Sequence, residues 1–124
     1  VHRVAQRWWP GPLTLVLPRR SGLALHLGEP ETTVGLRVPE HPLVQAVAAA
    51  VGPIATTSAN RHGEPTATTA QEAVAALGEG VALAVDGGRL EGRSSTVVDA
   101  TGPSWRVLRE GPVPADELLR MAPG

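Results

Sequence analysis

The sequence predicts an α/β (α+β) domain, with a twisted mixed sheet flanked by helices. Three observations predict it. Short apolar runs rich in Val, Leu and Ala share the chain with helical patterns but do not alternate one for one, which favours a mixed sheet over a purely parallel one. Gly and Pro pairs punctuate the runs. The 124 residues are 42% apolar, which suits one domain with a real core.

Residues 2–9 have the pattern of the end of a helix, stopped by Pro10, Gly11 and Pro12. The Trp8–Trp9 pair could stack on a base, but packing at the helix end is the expected role, because buried aromatics chiefly supply apolar area. "LTLVLP" (13–18) is a predicted strand. "LALHL" (23–27) is its predicted partner across a turn at Arg20, Ser21 and Gly22, with His26 on the solvent side. "TVGLRVP" (33–39) is a third strand, with Val34, Leu36 and Val38 on one face. Residues 41–52 form a helix: His41 precedes it as a cap or turn residue, Pro42 suits an early position, and Gly52 ends it. Its apolar stripe is Val44, Val47, Ala48 and Val51.

"PIATTS" (53–58) follows as a strand. In the helix at 69–78, Thr69 and Glu72 have capping-box spacing, Ala70, Ala73, Val74 and Leu77 face inward, and Gly78 closes it. "VALAVDGG" (81–88) is a strand with a Gly-Gly exit. "STVVDAT" (95–101) and "SWRVLREG" (104–111) pair as a hairpin through Gly102 and Pro103. Residues 115–121 form a short terminal helix with acids in the first turn.

Composition excludes several chemistries. Cys is absent, which removes disulfides and thiolate catalysis. All eleven basic residues are Arg, so no lysine catalyst or P-loop lysine exists in this chain. The net charge of −1 argues against a dedicated nucleic-acid binder. No apolar run approaches the ~20 residues of a membrane helix. The opening residues lack the apolar centre of a secretion signal. The expected location is cytoplasmic, with no membrane partner.

No dinucleotide or Walker loop is present. The histidines at 2, 26, 41 and 62 lack metal-ligand spacing. Ser58, His62 and Asp86 can be drawn as a triad, but Ser58 lacks the strained elbow that exposes a nucleophile.

One constellation remains. Small hydroxyl residues gather where strands are predicted to end: Thr14, Thr33, Thr56, Thr57, Ser58 with Asn60, Thr66, and Ser94 to Thr96. Arg37 lies within an apolar strand and Arg109 at the end of another. An arginine there is costly without an anionic partner, and its planar fork suits a carboxylate or phosphate. A helix cap needs one hydroxyl, whereas 56–60 offers four polar side chains. Together they predict a polar cradle for an anionic ligand.

"WPGPLTLVL", "VGLRVPEHP", "PIATTSANRHGEPT", "SSTVVDAT" and "WRVLREGPV" stand in the order and spacing of the YrdC-like family, which the chain resembles over essentially its whole length. The best-known members of that family are threonylcarbamoyl-AMP synthases. The resemblance implies a YrdC-like twisted sheet with a concave polar cleft. It implies a nucleotidyltransferase reaction in which L-threonine, bicarbonate and ATP give threonylcarbamoyl-adenylate and pyrophosphate for tRNA threonylcarbamoyladenosine modification. By motif, Thr33, Ser58, Thr66 and Arg109 would contact ATP or the adenylate, and Asn60 would shape the S-A-N loop and touch phosphate. Arg37, Thr56 and Ser95 would hold threonine, with Arg37 on its carboxylate. Mg²⁺ would arrive with ATP. The implied partners are the tRNA-modification proteins that accept the adenylate, with at most weak RNA contact.

The family's K-x-R motif and its P-T-[DE]-T-like threonine segment, which lie N-terminal to this region in its members, are not found in these residues. The only Met is Met121. Both features predict that residues 1–124 are the C-terminal part of an incomplete domain, one that would be inactive alone if half its cleft lies elsewhere. Three other readings compete: an RNA-binding module, a non-catalytic remnant, and a carbamoyl-adenylate-handling domain. Proteins of the last kind carry zinc-finger-like cysteines, which this chain lacks.

Overall fold

The computed structural model describes residues 1–22, 32–90, 92 and 94–123. The chain divides into two compact units, Val1–Ile54 with Arg93–Gly124, and Ala55–Gly92.

The first unit is built on a four-stranded mixed sheet. Its strands are β1 (Leu13–Pro18), β2 (Thr33–Leu36), β3 (Thr96–Asp99) and β4 (Arg106–Arg109), in the order β2-β1-β3-β4. β1 runs antiparallel to β2 and parallel to β3, and β3 runs antiparallel to β4. Alternation in "LTLVLP" sends Leu13 and Leu15 to one face, where both are fully buried. The register places Val98 of β3 beside Leu15 and Val107 of β4 beside Val98. Val4 of helix α1 (His2–Trp8) and Leu118 of helix α4 (Ala115–Arg120) join this core, with Ala100, Trp105 and Val113. Trp8 and Trp9 pack against it as expected, and Trp9 Nε1 donates to Leu13 O at 2.8 Å. Arg7 reaches from α1 to Glu117 on α4 at 3.0 Å.

Several expectations need correction. The predicted partner strand at 23–27, with His26, lies outside the described residues. Ser21 and Gly22 do form a turn. β2 ends at Leu36, so Arg37 follows the strand and is not within it. Residues 53–58 and 81–88 join no ladder among the described residues. A strand exists through its neighbour's hydrogen bonds. Ile54, Leu83 and Val85 are 42%, 81% and 62% exposed, so burial does not hold these segments extended either.

Helix α2 (Pro42–Val51) begins with Pro42 at its N-terminus and stops at Gly52, as the pattern predicts. His41 occupies the N-cap without a side-chain bond. No residue of α2 is buried, so its apolar stripe does not face a packed core.

The second unit holds helix α3 (Ala70–Leu77). The Thr69 hydroxyl accepts from Glu72 N at 3.1 Å. The reciprocal bond is displaced by one residue: the Glu72 carboxylate takes Thr68 N at 2.9 Å and Thr68 Oγ1 at 3.0 Å. These bonds, the Thr68 backbone N–H foremost, lower the Glu72 pKa. No residue of α3 is buried either, so the inward stripe expected there is absent. Among the described residues no helix is long and apolar enough to cross a membrane.

Candidate functional site

The first unit's sheet is two-faced. One side carries the Leu13, Leu15 and Val98 core. Directly paired residues share a face, so the opposite side carries Thr14, Val16 and Pro18 of β1, Thr33 and Gly35 of β2, and Val97 and Asp99 of β3. Ser95 precedes β3 in the same alternation.

Arg109 reaches this polar face through an irregularity. Val98 pairs with Val107 but Val97 pairs with Arg109, so Leu108 is an extra residue in β4. Such a bulge re-aims the side chains beyond it. Strict alternation would send Arg109 to the core side; the bulge turns it towards Ser95.

There the guanidinium takes a two-point hold. Arg109 Nε donates to Ser95 O and Nη2 to Ser95 Oγ, each at 3.0 Å. Ser95 Oγ also lies 2.8 Å from Thr14 Oγ1. Ser95 itself is buried.

Arg37 is anchored in a similar way. Its Nε donates to Gly11 O at 3.1 Å, and Gly11 N donates to Val38 O at 2.8 Å. Thr96 N donates to Pro12 O at 2.9 Å. The "PGPLT" segment thus bonds Arg37 through Gly11 O and Ser95 through Thr14 Oγ1, and Arg109 is linked to it through Ser95. Gly11 is required there because a Cβ would stand 2.5 Å from Trp8 O. Among the described residues no carboxylate pairs with Arg37 or Arg109. Each guanidinium is fixed through Nε and keeps N–H donors for an anion.

Two groups support Ser95 from behind: Thr96, one of the hydroxyl residues singled out in the sequence, and Gly111, which is not among them. Thr96 Oγ1 donates to Val113 O at 2.9 Å and accepts from Val113 N at 3.0 Å, a buried staple behind Ser95. Gly111 lies against the same backbone: a Cβ there would collide with Thr96 N and come within 2.6 Å of Ser95 C. Only Gly in "REGPV" hints at that approach.

In the second unit, Thr56, Ser58 and Thr66 are exposed. The run from Thr56 ends no paired strand, contrary to expectation. The Asn60 side chain is committed to its own loop. Nδ2 donates to Arg61 O at 2.9 Å and Glu64 O at 3.0 Å, and Oδ1 accepts from Thr66 Oγ1 at 3.5 Å. Asp86 accepts from Gln71 and Gly88 N rather than from His62. An open hollow of about 450 Å³ is lined by Ala70, Gln71, Val74, Ala75, Ala84 and Asp86, and none of the residues expected to bind threonine or nucleotide borders it.

With this geometry in place, relatives are informative. The Sua5/YciO/YrdC family model, described as "Telomere recombination", matches residues 1–111. The chain belongs to the Sua5/YciO/YrdC family. A protein of Mycobacterium tuberculosis is 42% identical to this family member over 121 residues, which are 97% of this chain and 56% of the relative. The threonylcarbamoyl-AMP synthase of Vibrio cholerae is 38% identical over 104 residues, 83% of this chain and 55% of the relative. Among solved structures, Sua5 of Pyrococcus abyssi complexed with L-threonine superposes with a TM-score of 0.85 at 34% identity, covering 96% of this chain and 36% of that one. This Sua5/YciO/YrdC chain therefore spans about half the length of these curated bacterial relatives. The mixed sheet with flanking helices is the family's α/β fold.

Proposed function

We propose that this chain contributes substrate-binding residues to a threonylcarbamoyl-AMP synthase, joining L-threonine, bicarbonate and ATP into threonylcarbamoyl-adenylate and pyrophosphate. The supporting observation is the polar sheet face. Arg109 is held by Ser95 O and Ser95 Oγ, Arg37 is held through Nε by Gly11 O, and among the described residues neither pairs with a carboxylate. A relative solved with L-threonine supports the choice of amino acid.

In this reading Arg37 binds the threonine carboxylate and Ser95 assists. Thr33 and Arg109 serve the nucleotide. The roles of Thr56 towards threonine, and of Ser58, Asn60 and Thr66 towards ATP, rest on their places in the S-A-N segment. Asn60 acts by holding that loop's shape.

The chemistry needs no covalent enzyme intermediate. The amine of threonine and bicarbonate form an N-carboxylate, losing water. A carbamate oxygen attacks the α-phosphorus, the bond to the bridging oxygen breaks, and pyrophosphate leaves with its electron pair. The protein's task is to align two anions and offset growing charge. A Mg²⁺ would enter on the nucleotide's own phosphate oxygens and would supply charge neutralisation at the leaving group, because guanidiniums donate N–H groups to anions and do not ligate a cation. The adenylate is a mixed anhydride, and tRNA-modification proteins would consume it.

The test is calorimetric titration of L-threonine into the chain with ATP and Mg²⁺, followed by assay of threonine- and bicarbonate-dependent pyrophosphate release. Arg37→Ala should weaken threonine binding at least tenfold, as losing a charged hydrogen bond costs about 1.5–3 kcal/mol. Equal affinity in the variant would overturn the assignment of Arg37.

A further inference from the structure

We propose that Thr14 is a positioning residue for threonine recognition: its hydroxyl donates to Ser95 Oγ and thereby turns the Ser95 O–H towards an anionic oxygen. This rests on the proposed function, in which Ser95 contacts threonine.

A serine hydroxyl has one proton and two lone pairs. Arg109 Nη2 takes one lone pair at 3.0 Å. Thr14 Oγ1, at 2.8 Å, is the only other side-chain partner of that oxygen among the described residues. When Thr14 donates, both lone pairs are filled and the Ser95 proton is left for a third group. In the reverse direction Ser95 spends its proton on Thr14 and offers only a lone pair, which a carboxylate or carbamate would repel. Arg109, bonded to Ser95 itself, and Arg37, bonded to Gly11 O three residues before Thr14, select an anion, so the first direction is the productive one.

The fold sets up this orientation. Thr14 is the second residue of β1, the strand that lies between β2 and β3, and it pairs with Val97 in a run whose other members are Leu, Val and Pro. Its methyl lies towards Gly35 of β2, where even an added Cβ would stand 3.6 Å from Thr14 Cγ2. The methyl thus occupies the β2 side, and the hydroxyl meets Ser95 next to β3. Valine would fill the same space without the donor.

The experiment is a double-mutant cycle read by calorimetric titration of L-threonine with ATP and Mg²⁺ present. Thr14→Val should weaken threonine binding roughly three- to tenfold, the range of one lost hydrogen bond. Thr14→Ser should restore most of the affinity. In a Ser95→Ala background, Thr14→Val should change affinity little. Wild-type affinity in Thr14→Val, or an equal loss in both backgrounds, overturns the positioning role. If circular dichroism shows Thr14→Val unfolded, Thr14→Ala takes its place in the cycle under the same criteria. Failure of the wild-type chain to bind threonine overturns the proposed function and this inference with it. Binding by the wild type that ignores the Thr14 hydroxyl overturns the inference alone.

Discussion

Asp99 shares the polar face with Thr14 and Val97, and its carboxylate is saturated with donors. Thr101 supplies O–H at 2.6 Å and N–H at 3.1 Å, and Arg106 supplies Nη2 at 2.9 Å. These bonds, the Thr101 hydroxyl first, hold its pKa at about 2, below the usual aspartate value of 3.8. A carboxylate with a depressed folded pKa favours the native state above its unfolded pKa and loses that contribution as pH falls through the folded one. Stability should therefore fall between about pH 4 and pH 2, and Asp99→Asn should flatten that part of the profile. Urea midpoints at half-unit pH intervals would measure it; parallel profiles for the two proteins would refute the linkage. At this scale much was legible. Arg37 stood out as an arginine read as lying inside an apolar strand, although β2 ends one residue before it, and Ser95 and Arg109 as a hydroxyl and an arginine at strand ends. What their spacing hid was how each is held, because Gly11 O and Thr14 Oγ1 are brought in by pairing across β1.

Pairing between elements decides where those side chains point. Counting by twos along "WRVLR" puts Val107 and Arg109 on one face, yet the bulge at Leu108 separates them. A one-residue irregularity leaves no periodic trace, so the orientation of Arg109 could not be read from the sequence. The α3 cap was readable because Thr69 and Glu72 interact locally, within one turn. Gly111 shows a non-local need. Its backbone lies so close to Ser94, Ser95 and Thr96 that no side chain fits, and the crowding atoms are all main chain. Gly111→Ala should force those backbones apart and cost about 1–3 kcal/mol, the range for overpacking. Because Ser95 would shift, threonine affinity should fall as well. A denaturation midpoint at the wild-type value would show that the segment adapts freely.

Across the whole molecule, the two units differ in what can hold them together. The first has a contiguous core from Val4 to Leu118, with Leu13, Leu15 and Val98 fully buried. Among the described residues of Ala55–Gly92 none is buried. Its order rests on α3, a single 3-10 turn at Gly78–Gly80 and surface hydrogen bonds such as Arg61 Nε to Ala76 O and Leu90 N to Thr68 O. Local pattern marked 53–58 and 81–88 as strands, since apolar alternation is visible in sequence whereas the presence of a pairing neighbour is not. Protection from hydrogen exchange follows buried, cooperative structure rather than local bonding. Amides of β1 and β3 should therefore exchange only by global unfolding, while those of residues 55–92 exchange orders of magnitude faster by local opening. Threonine with ATP and Mg²⁺ should slow exchange around Thr56 to Asn60 if the S-A-N segment meets ligand, because binding stabilises the closed form by mass action. Mass-spectrometric exchange with and without ligands separates these claims. Equal protection in both units without ligand would mean that residues 55–92 share the main core's cooperativity. Ligand protection confined to β1, β3 and β4 would remove Thr56, Ser58, Asn60 and Thr66 from the binding set while leaving Arg37, Ser95 and Arg109 in it.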